Sequence, residues 1–139
     1  MTVDSIKNGF VIDHIKPGNG MKIYKLLGLE ALNCPIALIQ NAVSDSMGCK
    51  DIIKIDADVA LDTAILGYVD PDVTVNVIKD SKIVNKYHPE LPRELVNIVK
   101  CKNPRCITTT EQELDHVFRL TDESKRVYRC IYCETASRK

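Results

Sequence analysis

The chain has 139 residues, of which 45% are hydrophobic and 27% charged, the composition of a soluble globular protein rather than a disordered one. Nineteen basic and nineteen acidic residues cancel and tryptophan is absent, which argues against a protein that grips nucleic acid along its whole length. No apolar run approaches the roughly 20 residues of a membrane-spanning helix, and the N-terminus lacks a secretory signal. We therefore expect a cytoplasmic protein, without nucleic-acid or membrane partners, whose six cysteines are thiols or metal ligands.

Charge and cysteine content change near residue 95. Residues 1–99 contain ten basic and thirteen acidic residues, a net charge of −3. Residues 100–139 contain nine and six, a net charge of +3, together with four of the six cysteines. The segment 88-HPELPRE-94 contains two prolines and is typical of a linker. We predict two domains, residues 1–92 and 93–139.

The first domain alternates segments typical of strands and of helices. In chain order we predict a strand at 10–15, a helix at 21–29, hairpin strands at 35–43 and 49–55, a helix at 59–68 capped by Asp58, and strands at 73–79 and 82–87. This is the order of a ferredoxin-like α+β sandwich (βαββαβ) with one extra hairpin strand. Such a sheet packs its helices on one face and leaves the other for solvent, a ligand or a partner.

The last 39 residues form only short apolar segments. We predict short strands at 98–101, 116–121 and 126–133, and hence a small all-β domain that resembles a zinc ribbon. Apolar burial alone does not stabilise so small a unit.

Four cysteines give the strongest chemical signal. Cys101 and Cys106 have the spacing C-x4-C, and Cys130 and Cys133 follow as C-x2-C. Two close pairs of soft thiolates suit one tetrahedral zinc ion, or iron–sulfur, and four thiolates leave no open position for a substrate, so the site is structural. Four free buried thiols are the alternative.

The other histidine and cysteine residues considered as ligands are predicted not to bind the metal. His116 is predicted to lie on the surface and is not needed as a ligand. Cys34 and Cys49 are predicted to be small buried side chains in the first domain.

A second group of polar residues lies on the predicted strands. Asp13 and His14 are adjacent and are therefore expected on opposite faces, whereas Lys50 and Lys54 share a face. With Asn76 and Lys86 on neighbouring strands, they could bind a polyphosphate and a ribose; ordinary solvated side chains remain the alternative. Catalytic motifs such as GxGxxG, GxxxxGK[ST], HExxH and GxSxG are missing, so we do not expect an enzyme.

Several segments together resemble one family. The segments 11-VIDHI-15, 50-KDIIKI-55, 74-TVN-76 and 91-LP-92, with the cysteine spacing, are similar to the regulatory chain of aspartate carbamoyltransferase over residues 3–134. The resemblance implies a non-catalytic subunit in pyrimidine biosynthesis, with an allosteric domain that binds CTP, ATP and UTP. It also implies dimers through that domain, and one structural zinc ion per chain in a domain that contacts the catalytic chain.

The resemblance also assigns roles by position. Asp13 and His14 match contacts to ribose and triphosphate, and Lys54 matches a lysine near the sugar and base. The other matched nucleotide-binding positions are Ile6, Lys50, Asn76, Ile83 and Lys86, the last as a phosphate ligand. Asn103 matches a residue that faces the catalytic chain.

Three positions depart from the family pattern. Arg105 and Asp122 replace an asparagine and an arginine that touch the catalytic chain in well-studied members, which predicts different interface contacts. Ser81 replaces an aromatic residue beside the base, which predicts a different preference between ATP and CTP.

Two other functions explain part of the sequence. A stand-alone zinc-ribbon adaptor for nucleic acid would use the positive charge of residues 100–139. A thiol-redox protein would use Cys130 and Cys133, although no thioredoxin-like βαβ pattern surrounds them. Neither function explains the segment 11-VIDHI-15.

Overall fold

The computed structural model describes residues 6–111 and 113–137. The chain divides into two compact units, Met1–Glu90 and Leu91–Lys139. None of the described helices is long and apolar enough to cross a membrane.

The first unit is a five-stranded antiparallel sheet with two helices. Its elements are β1 (Gly9–Ile15), α1 (Asn19–Leu26), a 3-10 turn (Leu29–Ala31), β2 (Ile36–Ser44), β3 (Gly48–Ile55), α2 (Thr63–Val69), β4 (Thr74–Lys79) and β5 (Lys82–Tyr87). The strand order is β2-β3-β1-β4-β5. This is the predicted α+β sandwich, in which β5 is the extra hairpin strand.

Strand register separates the two faces of this sheet. Ile12 pairs with Ile53 on one side and Val75 on the other, and all three are fully buried. On the same face the buried Asp51 carboxylate accepts the N–H groups of Gly18 and Gly20 at 3.0 and 3.1 Å, which fixes the start of α1 against β3. This face carries the helices, so the alternate residues of β1, β3 and β4 point to the other face.

The close approach of α1 to the sheet requires a glycine. A Cβ atom on Gly20 would lie 2.8 Å from Asp51 Oδ2 and 3.0 Å from the side chain of Leu38. Because these distances are below van der Waals contact, any side chain here would push α1 away from the sheet.

The second helix begins later than predicted. It starts at Thr63, and its cap is Asp62, whose carboxylate accepts the Ala64 N–H at 3.1 Å; the predicted start at residue 59 with Asp58 as the cap is wrong. The buried positions of this helix run from Ile65 to Val69, in the second half of the predicted segment and one residue beyond it. Tertiary packing therefore decided between two equally good capping residues.

The second unit contains β6 (Glu94–Val96), a short helix α3 (Ile107–Thr110), β7 (Val117–Asp122) and β8 (Val127–Cys130). The three strands form one sheet in the order β6-β7-β8. The predicted strand at 98–101 is wrong: the strand lies at Glu94–Val96, because Leu95 is the residue that packs in a row with Phe118 and Cys130. Asn97, at φ 57°, ends that strand.

Candidate functional site

The four predicted cysteine ligands converge in the second unit. Their sulfur atoms all lie within 4.8 Å of one another. The Cys101 and Cys133 sulfurs are 3.5 Å apart, and those of Cys106 and Cys130 are 3.7 Å apart. A tetrahedral ion with metal–sulfur bonds of about 2.3 Å separates its sulfurs by about 3.8 Å. The geometry and the donor set both fit one soft metal ion.

Local structure delivers each pair of cysteines. Cys106 lies just before α3, and its N–H donates to the Asn103 carbonyl at 3.1 Å, which closes the predicted knuckle around Pro104. Cys130 ends β8, and the chain turns there because the Glu134 N–H donates to the Cys130 carbonyl at 2.9 Å. The turn explains why the predicted strand at 126–133 stops early.

The surroundings of Cys101, Cys130 and Cys133 shift the pKa values of their thiols in different directions. Burial raises the pKa of Cys130 and raises the pKa of Cys101 to about 12. Burial also acts on Cys133, but hydrogen bonds from the side chain and backbone of Thr135, and from Asn103, lower the pKa of its thiol to about 6. Of Cys101, Cys130 and Cys133, the last therefore forms a thiolate most readily.

Three predictions about isolated residues were wrong. His116 is partly buried, and its Nδ1 accepts the Cys101 N–H at 3.1 Å, so it supports a candidate ligand rather than lying on the surface. Cys49 is exposed and Cys34 only partly buried. Cys49 pairs with Val43 next to the turn of the β2–β3 hairpin, where its side chain is exposed.

The candidate interface residues of the second unit lie close to the cluster or in turns. Asn103 is partly buried, and its amide donates to Thr135 Oγ1 at 3.4 Å. Arg105 is exposed. The Asp122 carboxylate accepts the Lys125 N–H and the Ser124 hydroxyl, which lower its pKa.

A row of side chains crosses the face of the first unit's sheet that lies opposite the helices, which we call the free face. Val11 of β1 pairs with Lys54 on β3 and with Asn76 on β4, and Asn76 pairs with Lys86 on β5. Directly paired residues point to the same face, so the row spans four strands opposite the helices. Lys54 is 3% exposed and Asn76 6% exposed, whereas Lys86 is open to solvent.

Asn76 is the unusual member of this row. Its Nδ2 donates to the Val11 carbonyl at 3.3 Å, but its buried Oδ1 has no hydrogen-bond partner within residues 6–111 and 113–137. A buried acceptor without a donor costs about 1–3 kcal/mol, and such atoms in folded proteins call for an explanation such as a missing ligand.

A β-bulge shapes the end of β1. The register with β3 shifts between Ile12 and Ile15, and His14 adopts a φ of 59°. Its ring Nδ1 lies 3.2 Å from the hydroxyl of Thr74, the residue that pairs with Asp13. The bulge thus turns His14 toward the face of Asp13, and the prediction that the two lie on opposite faces was wrong. Sequence reasoning missed Thr74, although it lies two residues before Asn76 on the same strand face.

Asp13 is held in an ion pair on this face. Its Oδ1 lies 3.0 Å from Lys50 Nζ and accepts the His14 N–H at 2.7 Å. Burial opposes ionisation of the carboxyl, but the hydrogen bonds from Lys50 and the His14 backbone outweigh it, and the pKa of Asp13 is lowered.

Apolar residues border the polar row. Ile6 is buried in a cluster with Val11, Ile52 and Ile78. Ile83 pairs with Ile78 and is 45% exposed. Ser81, which differs from the family pattern, lies in the turn between β4 and β5, where its N–H donates to the Lys7 carbonyl at 2.9 Å. The free face therefore brings together all eight predicted ligand residues, namely Ile6, Asp13, His14, Lys50, Lys54, Asn76, Ile83 and Lys86.

Comparison with known proteins gives a consistent result for both units. Residues 1–90 match the family model described as aspartate carbamoyltransferase regulatory chain, allosteric domain. Residues 93–139 match the metal binding domain of the same chain. The aspartate carbamoyltransferase regulatory chain of Clostridium acetobutylicum is 52% identical over 134 residues, which cover 96% of this chain and 92% of the relative. The same-named protein of Bifidobacterium longum is 42% identical, with 96% of both chains covered. These matches confirm the resemblance in the sequence.

Proposed function

The chain belongs to the family of aspartate carbamoyltransferase regulatory chains, and we propose that it controls the catalytic chain by binding nucleoside triphosphates on the free face of its first unit. Regulatory chains are non-catalytic, and this chain carries an allosteric domain and a metal-binding domain. CTP, ATP and UTP are the proposed effectors, and the control of pyrimidine biosynthesis is the proposed outcome.

The unpartnered Oδ1 of Asn76 is the observation that carries the nucleotide proposal. It lies between Lys54 and Lys86 in the cross-strand row, so a ligand that reaches it also meets the two lysines. A hydroxyl of ribose or an amino group of a base donates a hydrogen bond of the kind that this oxygen lacks. A ligand with both donors and negative charge fits the row.

Charge divides the proposed site into two parts. Lys86 and His14 supply positive charge or donors for the triphosphate, with Lys86 open to solvent where a charged tail would leave the pocket. Asp13 accepts from the ribose hydroxyls. Its ion pair with Lys50 keeps the carboxylate ionised and oriented before a ligand arrives.

The base lies at the apolar border in this proposal. Ile6 and Ile83 flank the row, and Ile83 has exposed surface that a flat ring would cover. Purines and pyrimidines differ in how far they extend over this border. A nucleotide can shift a two-state assembly only through such a differential contact. The coupling is typically worth about 1–3 kcal/mol.

The second unit holds zinc in this proposal. Four sulfurs saturate a tetrahedral ion, so the metal joins the segments around Cys101, Cys106, Cys130 and Cys133 and stabilises the fold without catalytic chemistry. The catalytic chain of aspartate carbamoyltransferase is the proposed partner of this unit, with Asn103 at the interface.

Self-association through the first unit completes the proposal. The sheet has two edge strands, and β5 carries Lys86 and Ile83, which the nucleotide would use. No strand in the described part of the chain pairs with the outer edge of β2, where Val43 is 87% exposed. We therefore assign the dimer contact to β2.

Calorimetric titration of the full chain with CTP and ATP tests the nucleotide site. Lys86→Ala should weaken the binding of both nucleotides at least tenfold, because it removes a phosphate ligand. Lys82→Ala is the matched control: Lys82 is an exposed lysine of the same strand, but it pairs with Lys79 and so lies on the helix-bearing face. Equal affinities in wild type and Lys86→Ala would overturn the site.

A further inference from the structure

Two of the four cysteines are followed by the same pattern. Cys106 and Cys133 each have a threonine two residues later, and each threonine hydroxyl lies beside the sulfur. Thr108 Oγ1 is 3.0 Å from the Cys106 sulfur, and Thr135 Oγ1 is 3.3 Å from the Cys133 sulfur. Thr108 is 3% exposed, so its hydroxyl is shielded from water.

The side chain of Asn103 positions the hydroxyl of Thr135. The Arg105 N–H donates to Asn103 Oδ1 at 3.0 Å, which orients the amide so that its Nδ2 faces Thr135 Oγ1 at 3.4 Å. An amide nitrogen can only donate, so the Thr135 oxygen accepts from it. In the structure the Cys133 thiol donates to the same oxygen at 3.3 Å, and once Cys133 is a thiolate only the Thr135 hydroxyl can supply the proton of this bond.

The neighbours of Thr108 use their hydroxyls differently. Thr109 donates to the carbonyls of Cys106 and Pro104, and Thr110 donates to the Ile107 carbonyl at 3.1 Å. Thr108 alone of these three is directed at a sulfur. A thiolate that binds a metal has lost its own proton, so the hydroxyl must be the donor.

We propose that Thr108 and Thr135 donate hydrogen bonds to the thiolates of Cys106 and Cys133, and that Asn103 is the positioning residue for Thr135. This inference rests on the proposed metal centre. Four thiolates around a divalent ion carry surplus negative charge, and each donor offsets part of it. The donors serve one cysteine from each of the two pairs. Outer partners of this kind typically change metal affinity by about 10–100-fold.

The hydrogen bond from Asn103 to Thr135 gives the segment between Cys101 and Cys106 a second proposed role. Its side chain is only partly buried, and it is the residue proposed to face the catalytic chain. The same amide that a partner would touch also holds the donor of a metal ligand. Metal retention and partner contact therefore share one side chain.

Metal competition on the full chain tests this proposal. Thr108→Val, Thr135→Val and Asn103→Ala are loaded with Zn²⁺, and their affinities are measured against a chromogenic chelator. We expect each valine variant to bind zinc about tenfold more weakly and Thr135→Ser to restore wild-type affinity. Thr110→Val, which removes a hydroxyl from the same short helix without a sulfur contact, should bind zinc like wild type.

A spectroscopic measurement separates a donor from a merely structural residue. In the Co²⁺-loaded chain, the loss of a hydrogen bond raises the energy of the sulfur electrons, so the sulfur-to-cobalt charge-transfer band should move to longer wavelength in Thr135→Val. The position should return in Thr135→Ser. Wild-type affinity and an unshifted band in both valine variants would overturn this inference and leave the metal centre standing. A wild-type chain that takes up no metal would overturn the metal centre as well.

Discussion

Replacement of Asn76 by valine should stabilise the first unit and abolish nucleotide binding. The wild-type chain buries the unpartnered Oδ1, and removal of that acceptor recovers about 1–3 kcal/mol of desolvation free energy. The variant loses the hydrogen bond from Nδ2 to the Val11 carbonyl, which costs about 0.5–1.5 kcal/mol. The expected net gain in the free energy of unfolding is about 1 kcal/mol, since Asn76 pays in stability for a contact that only a ligand completes.

Urea unfolding, followed by hydrogen exchange of the β1 and β4 amides, measures this change in the first unit alone. Asn85→Val on β5 is the control for strand propensity, because Asn85 is exposed and its substitution should change stability by less than about 0.5 kcal/mol. A destabilised Asn76→Val that still binds CTP with wild-type affinity would refute the reasoning, because Oδ1 would then be neither costly nor a ligand.

Three further outcomes follow from the same structure. The lowered pKa of Asp13 means that its ion pair with Lys50 stabilises the fold above the unfolded pKa of about 3.9, and that this contribution is lost as pH falls through the folded value. Between pH 6 and 3, the free energy of unfolding measured with urea should therefore fall less in Asp13→Asn than in wild type. An equal fall in both proteins would contradict the ion pair. A chelator should expose the β7 amides to hydrogen exchange while β1 stays protected, whereas continued protection of β7 would exclude a structural metal. Val43→Lys should halve the mass of the nucleotide-free chain in light scattering, and an unchanged dimer would exclude the β2 edge.

Local patterns in the sequence were enough to predict the alternating elements of the first unit and the convergence of the cysteines. Side chains alternate between the two faces of a strand, which predicts Lys50 and Lys54 on one face. The register of β3 with β1 and β2 agrees with this prediction. The close spacing within each pair of cysteines predicted that the four sulfurs converge, because residues so near in sequence share one turn. These features depend on few residues that are close in sequence.

The remaining features depend on contacts between distant segments. The bulge that brings His14 toward Asp13 is one extra residue in β1: the three steps from Ile12 to Ile15 oppose two steps on β3. Alternation within β1 alone does not reveal it. Asp58 and Asp62 are equivalent as capping residues until Ile65–Val69 are packed. The strand at Glu94–Val96 begins within the proline-containing segment predicted as a linker, and only its pairing with β7 identifies it.

A native mass spectrum of the chain co-purified with its source's aspartate carbamoyltransferase, recorded with and without CTP, tests the regulatory role directly. We expect a complex with catalytic chains, one zinc ion per regulatory chain, and a CTP adduct that Lys86→Ala removes. A chain that carries neither metal nor catalytic partner, or a CTP adduct that survives Lys86→Ala, would contradict the proposed function.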